Sequence, residues 1–376
     1  MALLYPLENP IRTYAWGSHT VLAELLGRDV PSKEPEAELW IGAHPTAPSM
    51  IRGTQESLLQ LIEADPAGTL GPYGERLPFL LKVLAVDAPL SLQVHPDAEQ
   101  AAAGFAREEA QRPRVRSYHD DQPKPELLCA LTPFLALYGF REPAESCELL
   151  DRLDVEPLRP VLDRLAAGDL KGAVGTVLDW PGDRDTLIEE IARACRKNST
   201  VPEYEQAALL AERYPGDMGV VFALLLNLVE LQPGQSLFVP ARMPHAYLRG
   251  TGVEIMAGSD NVLRGGLTPK HVDIPELLKI TDFTAVTPAP ESARSDGEFA
   301  APTDRFRLSV SRGGEHRFAG ASAVLCLEGE ITVRRNGATE RIGRGEALFV
   351  PYKGGPVTLS GDGTAFRAAP GRPSRP

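Results

Sequence analysis

A mainly β chain with an α-helical insertion is what this 376-residue sequence predicts, and three features predict it. Short apolar runs with two-residue alternation fill the first 140 or so positions and return in the last third. Between them, residues 142–227 carry helix-type spacing. The segment Gly234-Gln-Ser-Leu-Phe-Val-Pro240 is echoed by Gly345-Glu-Ala-Leu-Phe-Val-Pro351, so the β part is built twice.

The strands come first. Pro78-Phe-Leu-Leu-Lys-Val-Leu-Ala-Val86 is an apolar run with β-branched residues, interrupted only by Lys82. Pro89-Leu-Ser-Leu-Gln-Val-His-Pro96 alternates. Successive strand side chains point to opposite faces, so Ser91, Gln93 and His95 share one face, with Leu92 and Val94 on the other. Glu126-Leu-Leu-Cys-Ala-Leu131 is a third short strand. From about residue 142 the pattern changes. Leu187, Ile191 and Cys195 recur every four residues, and Glu205–Tyr214 is rich in Ala, Leu and Glu, both helical signals. Pro157, Pro160, Pro181 and Pro215 divide this region into several short helices. Strand character resumes at Val229. Gln232-Pro-Gly-Gln235 reads as a turn and Ser236–Pro240 as a buried strand. Beyond residue 285 the chain stays β-like, with Ala323–Val333 as strand, turn, strand. The Pro- and Arg-rich tail from Pro370 to Pro376 reads as disordered.

A glycine turn followed by a short apolar strand ending in proline is typical of cupin barrels, which are double-sheet jelly rolls. The sequence therefore predicts two cupin-like jelly-roll barrels plus a small helical domain. Residues 1–141 and 228–285 form the metal-binding barrel, 142–227 the helical insertion, and 286–376 the second barrel. Extending the echo places Pro356 opposite His245, so the second barrel lacks the corresponding ligand.

Composition excludes several function classes. A net charge of −12 argues against a general nucleic-acid or anionic-membrane binder, since both need a basic face. An anionic small molecule stays possible if Lys and Arg gather locally. Cys129, Cys147, Cys195 and Cys326 form no CxxC pair, and reading them as reduced thiols points to the cytoplasm. The N-terminus has no basic start and is not a signal peptide. The longest apolar run, Val220–Leu226, is too short to span a bilayer.

Gln93 and His95 on one strand face, Glu126 at a strand start and His245 after a strand end make a candidate metal site. Two imidazoles, one carboxylate and one amide oxygen suit one zinc ion per chain, with manganese, cobalt or iron as other options. Spacing alone leaves open that Gln93 and His95 only hydrogen-bond loops at a barrel rim. Catalytic zinc usually keeps three protein ligands and an open position. A four-ligand set therefore requires a higher coordination number, with Gln93, a weak neutral ligand, the one that yields.

Longer motifs decide the matter. Asn9-Pro-Ile-Arg-Thr-Tyr-Ala-Trp-Gly-Ser18, Ala37-Glu-Leu-Trp-Ile-Gly-Ala-His-Pro45, Leu90-Ser-Leu-Gln-Val-His-Pro-Asp97, Lys124-Pro-Glu126, Pro244-His-Ala-Tyr-Leu248 and Ser259-Asp-Asn-Val-Leu-Arg-Gly-Gly-Leu-Thr-Pro-Lys270 stand in this order. Together they resemble the type I mannose-6-phosphate isomerases over nearly the whole chain. One departure is Gln122-Pro123, where the family usually has Asn-His before Lys-Pro-Glu.

The resemblance implies a metal held by Gln93, His95, Glu126 and His245. It also implies interconversion of mannose 6-phosphate and fructose 6-phosphate through an enediolate. It places a catalytic arginine at Arg264, which stays charged and so cannot act as a base. Candidates for the base are Lys124, Glu254 and a metal-bound water. Glu254 lies in the alternating segment Gly252–Met256 and can face the same cavity. Ser91, Lys82 and Lys270 are candidate sugar or phosphate contacts. Tyr247 shares the His245 face, and Trp16 and Tyr14 are candidate pocket walls. Two other readings exist. A cupin oxygenase would also use two His and a Glu, but Gln93 and the basic residues after 260 argue against it. A binding protein that has lost its chemistry is favoured only by Gln122-Pro123. The sequence does not fix the oligomeric state.

Overall fold

The structure, a computed structural model, describes residues 4–372. Two large sheets dominate it, one of eleven strands and one of eight, with a block of helices against the first.

The eleven-stranded sheet is organised by one long strand, His245–Ala257, which belongs to two limbs. Its second half pairs with Phe79–Val86 on one side and Glu126–Ala130 on the other. Its first half pairs with Phe134–Phe140, and at His245 with Leu92–Val94. The strand changes limb at a bulge between Tyr247 and Arg249, followed by Gly250 at φ +129°. A Cβ at Gly250 would sit 2.6–2.8 Å from Phe134 and Pro133, so only glycine lets the strand turn there.

Two-residue alternation then assigns each side chain to a layer. On the flat limb, Val83, Ala85, Leu127, Cys129, Val253 and Ile255 face outward into a core shared with Leu325, Phe349 and Phe366 of the second sheet. Their neighbours Lys82, Glu126 and Glu254 face inward. On the other limb, Leu92, Val94, Ala246, Leu248 and Leu263 join the core of the helices. The helices thus share a core with the strands that carry the candidate metal ligands.

The expected helical region is helical from Pro143 to Leu224, and strand resumes at Leu226, three residues earlier than predicted. Leu187, Ile191 and Cys195 are buried on one face of the helix Arg184–Lys197. Pro160 opens the helix Arg159–Ala166 rather than breaking one, because proline at a first turn removes no intrahelical hydrogen bond. Asp169 and Asp183 cap the two following helices by accepting from Gly172 N and Thr186 N.

The eight-stranded sheet runs Ala338–Gly343, Glu330–Arg335, Val357–Pro370, Ser322–Glu328, Ala347–Val350, Tyr5–Glu8, Met50–Ile51, with Phe306–Phe318 also paired to Val357–Pro370. The repeated motif is real in space: Gly234 and Gly345 both adopt positive φ, +88° and +81°, and each introduces a short strand. Two N-terminal strands extend this C-terminal sheet: Tyr5–Glu8 pairs with Ala347–Val350, and Met50–Ile51 pairs with Tyr5–Glu8. A division by sequence position, which keeps residues 1–141 with the first barrel, does not anticipate that exchange. Short edge strands carry no pattern that names their partner. Between residues 293 and 305 the chain is largely irregular rather than β-like. Pro370 pairs with Phe306, so the tail is ordered at its start, and residues 373–376 lie outside the described residues. The four cysteines are unpaired, and burial pushes the thiols of Cys129 and Cys195 up to about 12.

Candidate metal centre

Three neighbouring strands bring the functional residues into register. Gln93, in the strand Leu92–Val94, lies opposite His245 on one side and Arg264 on the other. Glu126 begins the strand that faces them, opposite Val239 and Met256.

His95 and His245 direct their Nε2 atoms at one carboxylate. His95 Nε2 lies 3.2 Å from Glu126 Oε1, and His245 Nε2 lies 3.3 Å from Glu126 Oε2. The two rings are 5.1 Å apart. All three residues are buried, at 0–2 % exposure. Yet neither Nε2 completes a hydrogen bond, and neither does Glu126 Oε2. Buried polar atoms are normally satisfied, so three orphaned ones converging on a point require a partner. The opposite ring nitrogens show what kind. His95 Nδ1 lies 2.8 Å from Asn261 O and His245 Nδ1 lies 3.0 Å from Met243 O. A carbonyl only accepts, so each Nδ1 carries the proton and each Nε2 presents a lone pair. Two imidazole nitrogens and a carboxylate are the donor set for a cation, and carbonyls at the opposite ring nitrogens are the usual outer partners of ligating histidines. Burial holds His95 neutral, its pKa lowered to about 4. Burial pushes the Glu126 carboxyl up, but Lys124 and the two histidines outweigh it and hold that carboxyl well below the ordinary carboxylate range. Ligand atoms of His95, Glu126 and His245 lie within 4.8 Å of one another, so the residues present fit a divalent metal.

Through Glu126 this cluster borders a cleft of about 990 Å³, with His95 and His245 behind that carboxylate. Gln93 and Ser91 line it from the metal strand, Lys82 and Glu254 from the flat limb, and Tyr247, Trp16 and Tyr14 from its walls. Arg264 and Lys270 line the remaining side. Every site residue named from the sequence is therefore on the cleft or directly beneath it. Lys124 Nζ is 3.0 Å from Glu126 Oε1. Lys82, inside its apolar strand, is buried against Glu254 Oε2 at 3.3 Å and Glu38 Oε1 at 3.7 Å. Burial raises the Glu254 carboxyl to about 6. Among the described residues, no carboxylate pairs with Arg264 or Lys270. The guanidinium of Arg264 is lowered by burial, and the ammonium of Lys270 is lowered first by Arg264. Two neighbouring, unneutralised cations in a protein of net charge −12 define a place for an anion.

Sequence reasoning missed several lining residues. Glu38 and Trp40 sit in a motif whose function was unassigned. Arg213, Tyr214 and Asp217 come from the helical region and reach the cleft from its far wall. Nothing in helical periodicity marks a helix C-terminus as cleft-facing. Asp260 reaches the cleft while holding His44 at 3.3 Å.

Jelly-roll sheets with a buried His, His, carboxylate cluster under a cation-lined cleft define a class: a cupin-like protein whose cluster can hold a divalent metal. Comparison with known proteins gives the family. Residues 4–143 match the family described as phosphomannose isomerase type I, catalytic domain. The chain is 37% identical to the mannose-6-phosphate isomerase of Escherichia coli K12 over 384 aligned residues, covering 96% of this chain and 98% of that protein. The human mannose-6-phosphate isomerase is 34% identical, with 75% of this chain and 73% of that protein covered. A solved phosphomannose isomerase from Salmonella typhimurium superposes with a TM-score of 0.92 at 36% identity, over 99% of this chain and all of that one. A mannose 6-phosphate isomerase solved with zinc and yttrium gives 0.91 at 36% identity, with the same coverage. The chain belongs to the type I mannose-6-phosphate isomerase family, and it is an enzyme of the aldose–ketose isomerase class. Among the described residues, no helix is long and apolar enough to cross a membrane.

Proposed function

We propose that the protein interconverts mannose 6-phosphate and fructose 6-phosphate by proton transfer between C1 and C2 through an enediolate. One zinc ion, replaceable by another divalent metal, would be held by His95, His245, Glu126 and Gln93. The observation that carries this is the convergence of two orphaned Nε2 atoms and one carboxylate beneath a cleft lined by free cations. The zinc-bound relative supports the choice of metal. The division into a metal-binding barrel, a helical insertion and a second barrel without metal ligands belongs to the same reading.

The chain's own residues then take distinct tasks. When bound, the metal supplies a Lewis acid for the sugar oxygens. Glu254 serves as the base: it is buried on the cleft face, its carboxyl is raised to about 6, and Lys82 lies beside it. A base whose pKa approaches the working pH transfers protons efficiently in both directions. Lys124 holds the Glu126 carboxylate in place and offers an ammonium hydrogen to developing negative charge. Arg264, permanently charged, stabilises the enediolate or the phosphate, with Lys270 beside it. Ser91 and Tyr247 offer hydroxyls to the sugar, and Trp16 an aromatic face. The alternating strand Leu92–Val94 keeps this polar array apart from the helical core, and burial of the base and ligands excludes bulk water.

A coupled assay on mannose 6-phosphate tests the proposal. Purified protein should form fructose 6-phosphate, lose activity to a chelator and regain it with zinc. Turnover that persists in metal-free protein overturns the mechanism.

A further inference from the structure

The turn at residues 258–262 joins the long strand His245–Ala257 to Leu263–Gly266 and carries Asn261, which is fully buried. Its main-chain carbonyl accepts from His95 Nδ1 at 2.8 Å. Its side chain does something separate. Oδ1 accepts from the amides of His119 at 2.7 Å and Asp120 at 3.2 Å. Nδ2 donates to Asp120 O at 2.8 Å, to Gln122 O at 3.0 Å and to Asp120 Oδ1 at 3.2 Å. Two amide donors face Oδ1 and two carbonyls face Nδ2, so the side-chain orientation is fixed by its partners and its hydrogen-bonding capacity is filled. Its own amide donates to Ser259 Oγ, which in turn donates to Gln122 O.

The segment it clamps, residues 119–122, leads directly into Lys124-Pro125-Glu126. His95 follows the end of the strand Leu92–Val94 and Glu126 begins the strand Glu126–Ala130, and these two strands do not pair with one another. No sheet register therefore sets the 3.2 Å approach of His95 Nε2 to Glu126 Oε1. Asn261 is bonded both to the His95 ring and to the run that delivers Glu126. We propose that Asn261 is a positioning residue of the metal centre: its carbonyl orients His95, and its side-chain amide sets the path that brings Lys124 and Glu126 to it. The inference rests on the metal-centre reading above and adds to it the device that assembles the centre. The same clamp accounts for the tolerance of Gln122-Pro123. The contact to Asn261 uses the main-chain carbonyl of Gln122, which any residue supplies, while its side-chain Oε1 accepts instead from Arg305 Nη1 at 2.8 Å.

Outer partners of metal ligands typically set affinity by about 10–100-fold. The test is the zinc dissociation constant of metal-free protein, read by competition with a chromophoric chelator. Asn261→Ala should bind zinc about 10–100-fold more weakly. Asn261→Asp keeps the shape and the acceptor but sets a carboxylate against two carbonyls, and it should also bind zinc more weakly. Leu187→Ala, a core truncation in the helices, should lower the melting temperature and leave zinc affinity unchanged. If Asn261→Ala does not fold, the isosteric Asn261→Asp decides. Zinc affinity in either folded variant indistinguishable from that of the unaltered chain overturns the proposal. Failure of the unaltered chain to bind zinc would instead remove the metal-centre reading.

Discussion

Lys82 Nζ lies 3.3 Å from Glu254 Oε2, and the two residues stand directly opposite each other across paired strands. Glu38 approaches the same ammonium at 3.7 Å, and the Trp40 ring lies 5.5 Å from it. All four residues are buried. One lysine is therefore shared by two buried carboxylates and can balance the charge of only one of them. Removing one member of a buried ion pair typically costs about 3–5 kcal/mol, because the partner charge is left uncompensated. Lys82→Met should lower stability in denaturant titration by an amount of that order. The double change Lys82→Met with Glu254→Gln should recover part of it. Equal stability of Lys82→Met and the unaltered protein would show that the carboxylates find other partners.

The same pair sets a pH dependence. Burial is the main reason the Glu254 carboxyl is raised to about 6, and Lys82 opposes that rise. A base must be ionised, so kcat/KM should increase with pH through about 6 and then level off. Lys82→Met removes the opposing cation and should move that limb to higher pH. For stability the sign is the reverse. The folded carboxyl binds its proton more tightly than the unfolded one, so Glu254 favours the fold in acid, and that contribution is lost as pH climbs through about 6. A pH–rate profile whose acidic limb is unchanged in Lys82→Met would remove Glu254 as the base.

How far the sequence reaches depends on the range of the interaction. Alternation is local, so the strands carrying Lys82, Gln93 and Glu126 and the cleft face of Glu254 were legible from neighbours in the chain. Gly234 and Gly345 were legible because both turns need positive φ and so constrain residue type. The convergence of Glu126 with His95 was not: it depends on Asn261, which is 166 residues from His95 and 135 from Glu126, and no local pattern joins them. The placement of Tyr5–Glu8 in the C-terminal sheet and of Arg213 on the cleft wall was hidden for the same reason. Family resemblance supplied the ligand set that spacing alone left open.

Tyr247 offers a test of a different kind. It is 2 % exposed, and its hydroxyl completes no hydrogen bond. Burial, with Glu254 and Glu126 nearby, pushes its pKa well up, so the hydroxyl stays protonated and can donate. A buried unsatisfied hydroxyl costs about 1–3 kcal/mol. Tyr247→Phe should therefore leave the free protein as stable or slightly more so, while raising KM for the sugar phosphate. A clear loss of thermal stability in Tyr247→Phe would mean that the hydroxyl is already bonded within the protein.

Metal binding and charge stabilisation can be separated by variants on adjacent strands. His245 and Arg264 flank Gln93 in register, so truncations on its two sides disturb the sheet similarly. His245→Ala removes an Nε2 ligand and should abolish stoichiometric zinc by elemental analysis, with activity falling in step. Gln93→Ala removes the weakest donor and should lower zinc affinity less. Arg264→Ala leaves His95, Glu126 and His245 in place and should retain zinc while kcat falls about 10²–10³-fold, the usual effect of losing a charge-stabilising group. Zinc should also stabilise the folded state, by about 4 kcal/mol at a thousandfold excess over its dissociation constant. That stabilisation should persist in Arg264→Ala and vanish in His245→Ala. If Arg264→Ala lost its zinc along with its turnover, the arginine would belong to the metal's support rather than to the substrate. The unpaired cations of the cleft would then need another anion to explain them.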